Sequence, residues 1–160
     1  MEFSSIDVIA YVVYWCKTNE ITVNTTKAQK LLYCCYGAVL ADSNERLTDE
    51  HPRAWLYGPV FGNAYDATAN DKLTVGNVRR FLRLCPQQTL DLVNKTLKTF
   101  ARYSSTQLSK WASMKGSPWV DADPFAALDD RAIALWFQRY LNVINAVDKH
   151  EKMLYNTPSL

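Results

Sequence analysis

Apolar residues recur at helical spacing along much of this chain, and the spacing predicts its main elements. From Ser4 or Ser5 as N-cap, residues 6–18 carry Ile6, Ile9, Ala10 and Val13 three or four positions apart. Val8, Val12 and Trp15 add apolar surface on other sides, so this helix is expected to be central. A second helix is announced by "TKAQ", in which Thr26 and Gln29 form a capping box; its inward face is Leu31, Leu32, Cys35, Ala38 and Val39. Gly37 inside it costs about 1 kcal/mol relative to Ala, which a close helix crossing explains.

Residues 42–53 are a polar connection, and Arg53 to Tyr57 reads as extended. Pro59 suits the first turn of a helix continued by Val60, Phe61, Ala64, Tyr65 and Thr68, with Gly58 as the swivel before it. "VGNVRRFLRL", within 72–84, fits either a short strand pair or a helical turn. Leu90, Val93, Leu97, Phe100 and Ala101 define a further helix, and Ser104 with Gln107 caps a short one ending near Met114. The loop 115–124 holds Trp119, an aromatic expected to anchor it. Ile133, Trp136, Phe137, Tyr140, Leu141 and Ile144 place a last helix over 129–147. The expected fold is mainly α: one compact domain over 1–147 with about five or six helices, a minor β-hairpin, and a C-terminal tail at 148–160.

Composition adds limits. At 48% hydrophobic and 21% charged residues the chain is an ordinary globular one. A net charge of +2, with no basic run longer than Arg79-Arg80, argues against nucleic acid as a partner. The apolar run from Val8 to Trp15 is too short to span a bilayer and is flanked by Glu2 and Asp7, so a membrane role and export are not expected and the location is read as cytoplasmic. Cys16, Cys34, Cys35 and Cys85 contain no C-x-x-C pair and are read as free thiols; with His51 and His150 they offer no zinc spacing.

The search for chemistry yields little. Both histidines lie in polar segments, away from any evident nucleophile. "YGPVFG" lacks the phosphate-loop and dinucleotide fingerprints, and Pro59 removes an amide at the helix start. Asp129 and Asp130 are explained by the dipole of the last helix. No catalytic residue, metal or cofactor is expected. What remains is nine Tyr and five Trp in a small domain, and Tyr, Trp and Arg are types enriched in protein–protein contacts.

Three segments together resemble a known family. "NTTKAQKLLYCCYG" (24–37), "RAWLYGPVFGNAY" (53–65) and "LSKWASMKGSPW" (108–119) are similar, in order, to the Panacea domain of SocA-like and phage-associated GepA-like proteins. Ala112 and Ser113 stand where that family commonly has a Thr-His pair, so that histidine has no counterpart here. The resemblance implies a helical, non-enzymatic antitoxin that binds a cognate toxin encoded by a neighbouring gene, with a protease as a further partner in at least one relative. The alternative is a phage or prophage adaptor that binds a host protein. Lys27, Lys30, Tyr33, Arg53, Trp55, Tyr57, Tyr65 and Trp119 are the residues expected to touch the partner, with Trp55 and Tyr57 on the same side of an extended segment.

Overall fold

A computed structural model describes residues 2–147; the proposed tail and His150 lie outside the described residues. The chain forms α1 (Ser5–Thr18), α2 (Thr25–Ser43), β1 (Arg53–Trp55), β2 (Gly58–Val60), α3 (Gly62–Ala69), α4 (Val75–Leu84), α5 (Gln87–Phe100), α6 (Ser105–Ala112), α7 (Asp130–Gln138) and α8 (Leu141–Ala146). The mainly α class and the small hairpin are as expected, but the described residues hold eight helices rather than five or six.

Two places account for the difference. The 72–84 region forms α4, begun by a Thr74–Asn77 capping box, and its buried Phe81 packs on Phe3 and Tyr11. The last predicted helix is broken between α7 and α8, where the Tyr140 amide bonds back to Phe137 O in a tight turn. That turn sets the Tyr140 hydroxyl 3.0 Å from Trp111 Nε1, within a cluster of Phe100, Trp111, Trp136, Phe137 and Tyr140.

The central element is α2, not α1. Every residue of α2 from Lys27 to Leu40 is buried, and α1, α3, α5, α6, α7 and α8 all pack against it. A helix enclosed on all sides need not be amphipathic, which is why its Lys, Gln and Cys residues disguise its position. Gly37 is where α7 crosses: a Cβ there would sit 2.0 Å from Phe137 Cδ2, so only a hydrogen fits. The N-cap of α2 is Asn24, whose Oδ1 accepts from the Lys27 amide, rather than Thr26.

Gln29 is thereby released for another task. Its Oε1 accepts from Phe61 N at 2.8 Å and its Nε2 donates to Phe61 O at 3.4 Å, as a neighbouring strand would. This ties α2 to the exit of the hairpin. Pro59 lies in β2, opposite Ala54, and not in a first helical turn. The Ala54 amide bonds to Ala126 O instead, so the missing N–H of Pro59 removes nothing from the ladder. Gly58, at φ +117°, closes the two-residue turn Leu56-Tyr57.

The polar connection after α2 serves two helix starts. Asp49 Oδ1 accepts from Ser5 N at the head of α1, and the Glu50 carboxylate accepts from Asn63 N and Ala64 N at the head of α3, 3.1 Å each. Asp130 likewise does more than complement a dipole. It accepts from Tyr36 Oη at 2.6 Å and from Arg46 Nε at 2.8 Å, and His51 Nε2 lies 3.4 Å away.

Candidate functional site

The hairpin and the loop before α7 build one surface. Phe125 N donates to Ala54 O and Leu128 N to Pro52 O, so 125–128 runs along β1 like a third strand. Trp119 anchors its loop by donating from Nε1 to Trp55 O at 2.6 Å, as its place in a Pro- and Gly-containing loop suggests. The Trp55 and Tyr65 rings meet at 5.1 Å between centroids, joining β1 to α3, and Arg53 donates to Phe125 O at 3.2 Å.

Several large apolar side chains around this frame are exposed. Leu56 is 73% exposed, Tyr57 74% and Phe125 64%, and an apolar cleft of about 280 Å³ between Leu56 and Phe125 is lined by Trp55, Trp119 and Val120. Phe125 holds a left-handed backbone, φ +64°, a conformation uncommon for a bulky residue. Exposed apolar side chains of this size beside a cleft are a common feature of protein contact surfaces.

The eight sequence-derived residues divide. Arg53, Trp55, Tyr65 and Trp119 are brought together at the hairpin. Tyr57 is at its tip, in the turn, so it does not share a strand face with Trp55. Tyr33 is fully buried with its ring against Phe137 and its hydroxyl without a hydrogen-bond partner, so it is a core residue here and not a surface contact. Burial holds that hydroxyl well above the usual tyrosine range. Lys30 is also enclosed: its ammonium donates to Pro59 O at 3.2 Å beneath the hairpin, and desolvation lowers its pKa to about 8. Lys27, one turn earlier, opens onto a different cleft.

Leu56, Val120 and Phe125 were missed by sequence reasoning. Leu56 had a signal, since it sits between two aromatics in a turn; Phe125 follows Pro124 in a loop, where a large apolar residue has no local reason to be. Among the described residues no Ser, Thr or Cys side chain is hydrogen-bonded to a histidine. The four cysteines are free and buried, with desolvation raising each thiol pKa, Cys16 and Cys85 to about 11. Among the described residues no cluster of His, Cys, Asp and Glu could hold a metal, and no helix is long and apolar enough to cross a membrane.

The described residues thus form a helical domain that presents an aromatic hairpin surface. The family model described as "Antitoxin SocA-like, Panacea domain" matches residues 29–120, from α2 through the Trp119 loop, and the chain belongs to that family. It is similar to "Antitoxin SocA" of Caulobacter vibrioides (strain NA1000 / CB15N), 27% identical over 112 residues. That stretch is 62% of this chain and 60% of the relative, so the chain spans under two thirds of the curated protein it matches. No solved structure matches.

Proposed function

We propose that this chain is the antitoxin of a toxin–antitoxin pair and neutralises its cognate toxin by direct binding, without catalysing a reaction. Membership of the antitoxin family carries the reading. The exposed Leu56, Tyr57 and Phe125 around the Trp55–Trp119 frame support it, because they supply an apolar anchor with a polar surround. Arg53, Trp55, Tyr57, Tyr65 and Trp119 form the contact surface in this reading, and Lys27 contributes from a separate cleft.

The neutralising unit is residues 1–147, with 148–160 a tail. The cytoplasm is its place of action, where buried thiols stay reduced. A protease enters as a second partner if the bound toxin is handed over for degradation.

The test is expression of the adjacent gene from a tight promoter, alone and with this chain. Arrested growth alone, rescue on co-expression and a complex that co-purifies are the expected results. An adjacent product that is harmless and forms no complex would overturn the reading. Toxin half-life with and without the chain separates blocking from delivery: delivery shortens it, blocking leaves it unchanged or longer.

A further inference from the structure

A second cleft, of about 430 Å³, opens where the N-termini of α2 and α6 meet, the α2 cap residue Asn24 donating from Nδ2 to Oγ of Ser105, the first residue of α6, at 3.4 Å. Lys27 lines it while only 8% exposed, and its ammonium has no hydrogen-bond or carboxylate partner among the described residues. Burial pushes the Lys27 pKa down, and the thiol nearest it, Cys16, is itself held neutral. Arg102 lines the same cleft, and its Nε is buried without an acceptor. A cation with no protein acceptor and a second with a buried, unpaired Nε in one recess form an arrangement that an anion would complete.

The backbone points the same way. Asn24 Oδ1 takes the Lys27 amide and Ser104 Oγ takes the Gln107 amide. The first-turn amides of Thr25, Thr26, Ser105 and Thr106 have no acceptor within the described residues, as helix geometry dictates. Ser105 also lines a neighbouring cleft of about 470 Å³, which Thr26, Lys110, Leu56 and Tyr57 complete. Among the described residues no carboxylate lines either cleft.

We propose that these two adjoining clefts together form a groove that binds an extended acidic segment of the partner protein, with a Glu or Asp carboxylate between Lys27 and Arg102 and an apolar side chain against Leu56 and Tyr57. The proposal rests on the antitoxin reading and names the chemistry of the segment recognised. A free oxyanion would use the Lys27–Arg102 end alone. The groove also offers Lys110 farther along and an exposed aromatic at the hairpin tip, which suits a chain that alternates acidic and apolar residues.

The test is amide-resolved NMR titration of the full chain with three probes: a short, end-blocked peptide alternating Glu and Leu, its Gln-for-Glu counterpart, and inorganic phosphate. The acidic peptide is expected to move the signals of Thr25, Thr26, Ser105 and Tyr57. Lys27→Met and Arg102→Gln are expected to weaken it by roughly tenfold each, as loss of one charge-assisted hydrogen bond does. Circular dichroism checks that both variants are folded, and Lys110→Gln with Arg102→Gln carries the comparison if Lys27→Met is not. Equal binding of the Gln peptide, unchanged binding by the variants, or phosphate binding more tightly than the peptide would each overturn the proposal. No toxin is used, so a failed neutralisation assay and a groove that ignores the peptide are read separately.

Discussion

Lys30 Nζ donates to the Pro59 carbonyl at 3.2 Å, so a cation from the central helix closes the underside of the hairpin. The same side chain packs 3.0 Å from where a Cβ on Gly58 would stand. A charge in this enclosure is costly, and its pKa falls from the ordinary 10.5 to about 8 because desolvation disfavours the ammonium.

The sign of the pH effect follows. Below about pH 8 Lys30 is charged in both folded and unfolded chains, and the folded state bears the full desolvation cost. Between about 8 and 10.5 the folded chain loses this proton first, the unfolded chain binds more protons, and stability rises with pH. Lys30→Met lacks this dependence. The stability difference between wild type and variant should therefore move in favour of wild type by roughly 1–3 kcal/mol from pH 7 to pH 10.5, at about 1.4 kcal/mol per pKa unit. Urea unfolding at several pH values measures it, and parallel curves would show that Lys30 is not desolvated.

Gly37→Ala places a methyl group inside the Phe137 ring position. Relief requires α7 to move away from α2, and overpacking of this kind costs about 1–3 kcal/mol or more, against the gain of about 1 kcal/mol in helix propensity. Wild-type stability of the variant would mean that the helices do not cross here. Phe137→Leu added to Gly37→Ala is expected to recover part of the loss, a coupling that a double-mutant cycle reads directly.

Individual positions show how far the fold can be read from the sequence. Gly37 was legible because a glycine inside a helix needs a reason, and the reason is a single close contact. The short helix α6 was legible because its Ser104–Gln107 box has no rival. At α2 the same signal misled: Thr26 and Gln29 have the spacing of a box, but Asn24 stands two residues earlier and Gln29 has a more valuable, non-local partner in Phe61. Pro59 misled for the same kind of reason, since a proline fits both a first helical turn and a strand position whose N–H faces away from its neighbour. The hairpin surface was half legible. Trp55, Tyr65 and Trp119 stood out by type, whereas Phe125 joins them through strand-like pairing between residues about seventy positions apart, which no local pattern encodes.

Glu50 is the clearest case of function hidden in a polar loop. Its carboxylate accepts two amides at the start of α3 and the Ser5 hydroxyl at the start of α1. Phe61, the residue at the α3 N-cap, has no side chain able to replace it. Glu50→Ala is expected to lower stability by about 1–2 kcal/mol, in the range of a lost helix cap. Thermal unfolding checks this, and an unchanged melting temperature would show that the carboxylate caps neither helix.

Tyr57→Ala and Phe125→Ala separate the contact role of the hairpin from its folding role. Both side chains stand mostly in water, so truncation removes little buried area, and stability should stay within about 0.5 kcal/mol of wild type. Phe125→Gly is a useful third variant, because it keeps the left-handed backbone available while deleting the ring. If these rings anchor the toxin, each truncation weakens the complex by about 1–3 kcal/mol and rescue of growth is lost or reduced, as for residues at the centre of an interface. Trp55→Ala should behave differently: it also removes the contact with Tyr65, so stability and binding fall together. Full neutralisation by folded Tyr57→Ala, Phe125→Ala and the double variant would place the toxin elsewhere on the molecule, with the Lys27–Arg102 groove as the next surface to test.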